Sequence, residues 1–210
     1  MIPKIIHQIW VGDQSLRPNK LMETWKDLNP TWEYMLWTED NLPELINKKQ
    51  FNAIEELAGK ADILRYEILY KYGGFYIDAD SKCVNPLDDN LLECDSFCCW
   101  ENEYERCGLM ANGYLAACKG NDLMDLMIKS ISNMNERDLK NLPPISSWKV
   151  VGPVFLTNSV ISNKYHKIKI YPSHYFIPVH YTGLDQSYKT PIYSEQYFMS
   201  TPPSGNKYGE

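Results

Sequence analysis

The sequence predicts an α/β fold with a largely parallel sheet, because strand-like and helix-like patterns alternate along its first half. "KIIHQIWVG" is rich in β-branched residues and alternates between apolar and polar positions, so it predicts the first strand. "NKLMETWKDLN" then places apolar residues at helical spacing, and "WEYMLW" predicts the second strand. A chain of 210 residues can bury a sizeable core. We expect one domain over residues 1–210, in which 182–210 form an irregular C-terminal tail or lid.

The later elements follow from the same periodicities. Thr38 is expected to cap a helix. The longest helix is expected from Phe51 to Tyr72, because this stretch carries an apolar stripe and ends before Gly73, which suits the left-handed position after a helix. Strands are expected at "GFYIDAD", "SFCCWE", "GYLAAC" and "KIKIYP", and helices at "NDLMDLMIKSISNM" and "GPVFLTNSVISN". "NLPPISSW" is expected to be a loop, and the chain beyond Tyr181 to be irregular.

Composition and charge narrow the class of protein. Apolar residues make up 44% and charged residues 23%, as in an ordinary soluble globule, and the net charge of −6 argues against nucleic acid as a partner. No apolar run is long enough to span a bilayer, so no transmembrane segment is expected, and "MIPKIIHQIW" lacks the apolar core of a signal peptide. The six cysteines show no metal-binding spacing, so we expect reduced thiols in a cytoplasmic protein.

Two carboxylates, Asp78 and Asp80, come at the end of the buried strand "GFYIDAD". Residues two apart in a strand point the same way, so both carboxylates are expected to face one site. Hard oxygen ligands at the carboxyl end of a strand suit Mg²⁺ or Mn²⁺, and open α/β sheets bind their ligands at this edge. The alternative is a turn in which these polar side chains cap the next element.

A second polar pair, Asp62 and Arg65, lies three residues apart on the helix that leads into this strand. The spacing places both side chains on one helical face, and a surface ion pair is its commoner outcome. Their neighbours Ala61, Ile63 and Leu64 leave little room for a solvated face. The pair is therefore a candidate clamp for hydroxyl and phosphate groups.

These stretches together resemble a known family. "IPKIIHQIW", "NPTWEYMLW" and "KADILRYEILYKYGGFYIDADS" look like the sugar-transferring enzymes with a DXD motif, specifically glycosyltransferase family 32. That family groups capsular-polysaccharide enzymes with fungal initiating mannosyltransferases, and the large clostridial glucosylating toxins share its catalytic core. Weaker similarity to the family occurs at "LMANGYLAAC", "VVGPVFLT" and "YPSHYFIP". The resemblance implies a GT-A-like α/β fold, with a central, mostly parallel but mixed sheet flanked by helices.

The resemblance also implies a reaction. A retaining, metal-dependent glycosyltransferase would move a sugar from a nucleotide-sugar donor to a glycan or other hydroxyl acceptor. Asp62, Arg65, Asp78 and Asp80 would be its catalytic residues, and Mn²⁺ or Mg²⁺ would be held directly by Asp80 with help from Asp78. The likeness to the toxins favours a UDP-sugar donor over a GDP-sugar, whereas the fungal relatives point to guanosine.

Several residues are expected, by the same resemblance, to bind the donor. Trp10 would stack on the base, and Tyr76 would line the ribose or phosphate pocket. Asp62 and Arg65 would hold sugar hydroxyls and the diphosphate side, and Asp78 would contact the ribose and the sugar. By residue type alone, Trp10 and Tyr76 are more often core aromatics.

Asn112 and Ser200 complete the expected donor site. Asn112 matches a polar position near the sugar, although an Asn-Gly pair also predicts a turn. Ser200 matches a serine in the family segment that closes over metal and donor, but the histidines and last tryptophan of that segment are missing from "YSEQYFMSTPP". Because these residues are missing, the metal affinity and lid closure that the resemblance implies do not follow for this chain. His174 and His180 lack the spacing of a metal pair, so core and acceptor-cleft roles both stay open.

Two other classes of function stay open. A phosphatase can use the first aspartate of a D-x-D as its nucleophile, but its motif follows the first strand of its domain, and here it follows several elements. A non-catalytic nucleotide-sugar-binding protein would keep the donor pocket and lack the lid. For an enzyme we favour same-face attack guided by the leaving phosphate, because none of the loop residues Glu101, Glu103 and Glu105 is an evident nucleophile.

Overall fold

The computed structural model describes residues 1–199, which form a six-stranded sheet and a small two-stranded sheet. The strands are β1 Ile5–Ile9, β2 Glu33–Trp37, β3 Gly74–Ile77, β4 Ser81–Cys83, β5 Ser96–Trp100, β6 Met110–Ala117, β7 Ile168–Tyr171 and β8 Ser194–Gln196. The large sheet has the order β2-β1-β3-β6-β5-β7. Strand β1 pairs in parallel with β2 and β3, and β5 pairs in parallel with β7. Strand β6 is antiparallel to both β3 and β5, so the sheet is mixed.

Seven α-helices within residues 1–199 flank the sheet. They are α1 Asn19–Leu28, α2 Lys48–Ala53, α3 Leu57–Tyr72, α4 Asp122–Ser132, α5 Glu136–Lys140, α6 Ser147–Val150 and α7 Pro153–Ser162. Alternation along β3 sends Phe75 into an apolar cluster that contains Trp25 of α1, and Tyr76 into the cluster that contains α3, α4 and α7. The α/β fold with helices on both faces of a mixed sheet is therefore as predicted.

The long helix predicted from Phe51 to Tyr72 is wrong, because the chain breaks it into α2 and α3. Glu56 has extended backbone angles, and its carboxylate accepts hydrogen bonds from the backbone N–H groups of Ser146 and Ser147 and from the Ser147 hydroxyl. Glu56 thus satisfies amides at the start of α6, and this contact between distant segments outweighs the local helical pattern.

Smaller differences occur at other termini. Thr38 begins a single turn of 3-10 helix, with the reciprocal bonds of a capping box to Asn41, and no α-helix follows there. The segment predicted to be irregular beyond Tyr181 contains β8, which pairs antiparallel with β4. Across residues 1–199, no helix combines the length and the apolar character that crossing a membrane requires.

Candidate active site

The carboxyl edge of the large sheet gathers most of the predicted site residues. Asp78 and Asp80 follow β3 in a tight turn, and the backbone N–H of Asp78 donates to the carbonyl of Gly113 on β6 at 2.9 Å. Because β3 lies between β1 and β6, this turn sits near the middle of the sheet. The Asp78 side chain is 32% exposed, so it is open to a ligand from outside.

The pair predicted on α3 lies directly beside this turn. Arg65 Nη2 is 3.0 Å from Asp62 Oδ1 and 3.5 Å from Asp78 Oδ1. Arg65 Nη1 donates to the backbone carbonyl of Asn112 at 2.8 Å. Asp62 and Arg65 are both buried, so they form an internal ion pair and not the commoner surface pair. One guanidinium therefore links α3 to the ends of β3 and β6.

Tyr76 contacts both Asp78 and Arg65. Its hydroxyl donates to Asp78 Oδ1 at 2.8 Å, and the Arg65 guanidinium lies over its ring at 4.2 Å from the centroid. Tyr76 is only 2% exposed. Its predicted place in the ribose or phosphate pocket stays a prediction, and its visible contacts orient Asp78 and Arg65.

Asn112 fixes Asp62 from the β6 side. Its amide Nδ2 donates to Asp62 Oδ1 at 2.8 Å and lies 3.1 Å from the hydroxyl of Tyr66. Tyr66 in turn donates to the carbonyl of Val151 at 2.8 Å. The predicted contact of Asn112 with the sugar stays a prediction, and its position beside Asp62 is compatible with it.

Two glycines make room for the carboxylates. A Cβ on Gly113 would overlap Asp78 Oδ2, and a Cβ on Gly152 would lie 2.8 Å from Asp62 Oδ2. The sequence draws attention to Gly113 only because it follows Asn112. No local pattern indicates that its missing side chain leaves space for Asp78, an aspartate 35 positions upstream. No local pattern indicates the corresponding space at Gly152.

Burial and mutual repulsion shape the charges of the site. Desolvation raises the pKa of Asp62 to about 6, although Arg65 and Asn112 act in the opposite direction. Desolvation and the nearby charge of Asp78 likewise raise the pKa of Asp80 to about 6. Burial disfavours the charge of Arg65, but Tyr76, Asp62 and Asp78 raise its pKa overall. The cluster therefore favours an added positive charge.

Residues 194–199, which we call the C-terminal strap, cover Asp80. Gln196 Nε2 donates to Asp80 Oδ1 at 2.8 Å, and the backbone N–H of Met199 donates to Oδ2 at 2.7 Å. The backbone N–H of Tyr197 donates to the Asp80 carbonyl at 3.0 Å, and Tyr114 donates to Gln196 Oε1 at 2.7 Å. No sequence pattern pointed to Gln196. Ser200, predicted in the same segment, lies outside the described residues.

The donor atoms at the turn fit a hard divalent cation that shares its shell with a ligand. Asp78 and Asp80 supply carboxylate oxygens, which Mg²⁺ and Mn²⁺ prefer. Within residues 1–199, no three His, Cys, Asp or Glu side chains converge on one point. These two residues would therefore hold an ion together with water and phosphate oxygens, and Asp80 would have to exchange its bonds to the strap.

Trp10 lies at the same edge, directly after β1. It is partly exposed, so it is not the core aromatic that residue type alone favoured. Its backbone N–H donates to Trp37 O, and its indole Nε1 donates to the carbonyl of Asp13 at 2.9 Å. Because β1 is the neighbour of β3, the indole is placed one strand from Asp78. Its stacking on a base stays a prediction.

Known proteins resemble this chain in sequence and in fold. A family model described as "Glycosyltransferase sugar-binding region containing DXD motif" matches residues 15–98. Inositol phosphoceramide mannosyltransferase 3 of Schizosaccharomyces pombe is 29% identical over 180 residues, which cover 80% of this chain and 46% of that protein. The chain thus spans just under half the length of this relative.

Two solved structures share the fold. PaToxG glycosyltransferase superposes with a TM-score of 0.61 at 19% identity, covering 77% of this chain and 70% of that one. The ligand-free glycosyltransferase domain of the YGT toxin superposes with a TM-score of 0.55 at 11% identity, covering 80% of each chain. These likenesses concern architecture alone, and they confirm the GT-A-like fold.

The matched residues 15–98 include Asp62, Arg65 and the Asp78–Asp80 pair, from which the resemblance was predicted. That resemblance is confirmed, because residues 15–98 match the family model of a glycosyltransferase sugar-binding region with a DXD motif.

Proposed function

We propose that this chain is a retaining, metal-dependent glycosyltransferase that moves a sugar from a nucleotide-sugar donor to a glycan or other hydroxyl acceptor. The observation that carries the proposal is the buried Asp62–Arg65 pair, held against Asp78 at the carboxyl edge of the sheet. This arrangement offers oriented carboxylates for sugar hydroxyls beside carboxylates for a cation.

The charge balance supports a divalent ion together with a diphosphate. The carboxylates of Asp62 and Asp78 contact the guanidinium of Arg65, and Asp80 lies within reach of the charge of Asp78, so the three carboxylates and one guanidinium leave an excess of two negative charges when all are ionised. Mn²⁺ or Mg²⁺ held by Asp78 and Asp80 would neutralise charge on the leaving diphosphate. Arg65 already contacts Asp62 and Asp78, so we assign to it the orientation of those two carboxylates.

Trp10 is our candidate for the base-binding residue of the donor. Base stacking on an aromatic ring is worth about 1–3 kcal/mol and selects weakly among bases. The toxin-like resemblance favours uridine diphosphate, and the relatives named as mannosyltransferases make a guanosine diphosphate sugar the second candidate. Titration of the protein with UDP and with GDP in Mn²⁺ separates the two, because tighter binding of GDP excludes the uridine choice.

Retention is proposed without an enzyme nucleophile. Glu103 cannot easily serve, because its carboxylate accepts hydrogen bonds from the backbone and hydroxyl of Ser173 and lies 3.5 Å from Gln186 Nε2. Asp62 is buried, and its Oδ1 already pairs with Arg65 and Asn112. Same-face attack guided by the leaving phosphate needs only that the site hold donor and acceptor together.

Two other activities are separated by simple assays. Release of phosphate from a monoester would favour a phosphatase, although Asp78 Oδ1, the candidate nucleophile, accepts from Tyr76 and pairs with Arg65. Metal-dependent binding of a nucleotide sugar with no turnover would favour a non-catalytic binding protein. Turnover of a nucleotide sugar supports the transferase.

Asp80→Asn tests the proposed metal site. We expect Mn²⁺-dependent binding of UDP or GDP to weaken at least about tenfold, because a neutral amide is a poor ligand for a hard cation. Calorimetric titration with and without Mn²⁺ measures the effect, and circular dichroism checks the fold. The matched control is Asp27→Asn, an exposed aspartate on α1, which should bind as wild type does. Equal Mn²⁺ dependence in Asp80→Asn and wild type would refute the metal role.

A further inference from the structure

A polar and aromatic cluster lies beside the proposed donor site, on the opposite side of β3 from Trp10. It consists of Glu101, Arg106, Trp148 and Tyr181, and we call it the rim cluster. Glu101 follows the carboxyl end of β5, and Tyr181 belongs to the chain that follows β7. Both strands end at the sheet edge that carries the DXD turn, because β5 is antiparallel to β6 and parallel to β7.

Two independent observations place the rim cluster near the carboxylates of the site. On one side, a Cβ on Gly152 would lie 2.8 Å from Asp62 Oδ2 and 2.7 Å from the Trp148 Cα, so these two groups share one small space. On the other side, the Phe198 ring lies 5.3 Å from the Tyr181 ring, and the next residue, Met199, donates to Asp80. The cluster therefore borders the opening of the site.

The members of the cluster hold one another in place. Arg106 Nε is 3.1 Å from the Tyr181 hydroxyl and 3.8 Å from Glu101 Oε1, and the guanidinium is 5.7 Å from the ring centroids of both Trp148 and Tyr181. The buried His180 places Nε2 3.4 Å from the same Glu101 oxygen. Within residues 1–199 no hydrogen bond reaches Glu101 Oε2. The Arg106 side chain is 40% exposed and the Glu101 side chain 17%, so Arg106 is open to a ligand and Glu101 is reached only in part.

The chemistry of the cluster points to a neutral polyol. A carboxylate accepts from hydroxyl groups and a guanidinium donates to them, so adjacent hydroxyls of one ring can engage both. Aromatic faces pack against the C–H surface of such a ring. The charges of Glu101 and Arg106 cancel, so this pair itself gives no net attraction for a phosphate or carboxylate. A further cation beside the cluster is Lys149, whose ammonium is 5.2 Å from the Trp148 ring centroid.

We propose that the rim cluster binds the acceptor of the proposed transferase, and that this acceptor presents a neutral polyol ring, a pyranose or a cyclitol. The inference rests on the proposed function, because it places the acceptor opposite the base-binding side at Trp10. Glu101 and Arg106 orient the ring hydroxyls, and Trp148 or Tyr181 packs on its face.

Direct binding measurements test this inference without turnover. The probes are methyl α-D-mannopyranoside, myo-inositol and myo-inositol 1-phosphate, measured by saturation-transfer NMR on the full chain with Mn²⁺ and UDP or GDP. We expect at least one neutral probe to bind wild type, and Glu101→Gln and Arg106→Met each to weaken it about tenfold or more. Glu105→Gln, an exposed residue of the same loop, is the matched control and should bind as wild type does.

The outcomes separate this inference from the proposed function. If no neutral probe binds wild type, or if binding is unchanged in Glu101→Gln and Arg106→Met, the rim cluster is not a polyol site. Binding of myo-inositol 1-phosphate alone would also overturn the neutral-acceptor assignment. If wild type shows no Mn²⁺-dependent binding of UDP or GDP, the proposed function is contradicted instead. The probe measurements still show whether the rim cluster binds a neutral polyol. In transfer assays, the KM for the polyol should rise in both variants more than kcat falls.

Discussion

Arg65 organises the site at the scale of single residues, since its guanidinium contacts Asp62, Asp78, the Asn112 carbonyl and the Tyr76 ring. Each contact is to a buried or partly buried group, and a buried charge is tolerated only when its partners are in place. The position of the two carboxylates therefore depends on the packing around them as much as on their own backbone.

Gly113 offers the sharpest test of that packing. Gly113→Ala would push a methyl group into the space of Asp78 Oδ2, so Asp78 must leave its contacts with Tyr76 and Arg65. We expect Mn²⁺-dependent nucleotide affinity to fall about tenfold or more and stability to fall by about 1–3 kcal/mol, measured by titration and urea unfolding.

The control for Gly113→Ala is Gly120→Ala. Gly120 has a φ of +71° and open space around its Cβ position, so alanine there costs about 1 kcal/mol of backbone strain away from the DXD turn. Its nucleotide affinity should equal that of wild type. If Gly113→Ala also keeps wild-type affinity, Asp78 does not need its observed position.

Residue patterns predicted one part of the site and could not predict another. Asp62, Arg65, Asp78 and Asp80 were predictable because helical spacing and strand alternation are local signals. The spaces at the two glycines and the hydrogen bond from Gln196 depend on residues far apart in sequence, and single-residue patterns carry no such information.

At the scale of elements, His7 joins β1 to the junction of α3 and β3. Its Nε2 lies 2.7 Å from the carbonyl of Gly73, and the indole of Trp37 donates to its Nδ1 at 3.2 Å. Trp37 can only donate, so Nδ1 accepts and Nε2 carries the proton that is donated to Gly73. A second proton on Nδ1 would face the Trp37 N–H. Burial lowers the pKa of His7 to about 4.

This contact predicts acid sensitivity. The folded pKa of His7, about 4, lies below the ordinary 6.5, so the unfolded chain binds more protons between these values. This contribution of His7 is fully present above pH 6.5 and is lost as the pH falls towards 4, by up to about 3 kcal/mol. Asp62 and Asp80, whose pKa values are raised to about 6, contribute a slope of opposite sign over the same range. Urea unfolding should therefore show a difference in slope between wild type and His7→Gln that equals the contribution of His7.

The control is His166→Gln, which removes an exposed histidine and should leave the slope unchanged. A slope is still expected in His7→Gln, because the lowered pKa of His174 and the raised pKa values of Asp62 and Asp80 remain in that variant. Identical slopes in wild type and His7→Gln would show that His7 does not couple stability to pH.

Element types were predictable where the pattern is strong and local. The strands before and within the DXD region and the helix α4 were expected at nearly their observed positions. The break between α2 and α3 was not, because Glu56 satisfies amides of Ser146 and Ser147, about 90 residues away. The alternation of strands and helices likewise does not indicate that β6 lies between β3 and β5 and runs antiparallel to both.

At the scale of the whole molecule, the C-terminal strap brings the end of the described chain onto the DXD turn. Gln196→Glu tests this contact. A carboxylate would replace the amide that donates to Asp80, so we expect a loss of about 1–3 kcal/mol without metal, seen as a lower Tm. Mn²⁺ should restore more of the Tm in this variant than in wild type, because a third carboxylate adds a ligand.

Glu195→Gln on the same strand is the control. Glu195 is exposed and pairs with Lys82 at 3.6 Å, and such surface pairs contribute about 0–1 kcal/mol. Its Tm and its response to Mn²⁺ should stay close to wild type. A Gln196→Glu protein that responds to Mn²⁺ no more than Glu195→Gln does would place the strap outside the metal site.

The strap also affects the rate at which an ion can bind Asp80. Both oxygens of Asp80 accept hydrogen bonds from Gln196 and Met199, so an ion and these donors compete for one carboxylate. A strap that is released about 1% of the time weakens the apparent ion affinity about a hundredfold. Ion entry is then limited by strap release at high Mn²⁺ concentration. In stopped-flow experiments the observed binding rate would reach a plateau, and Gln196→Ala would raise that plateau.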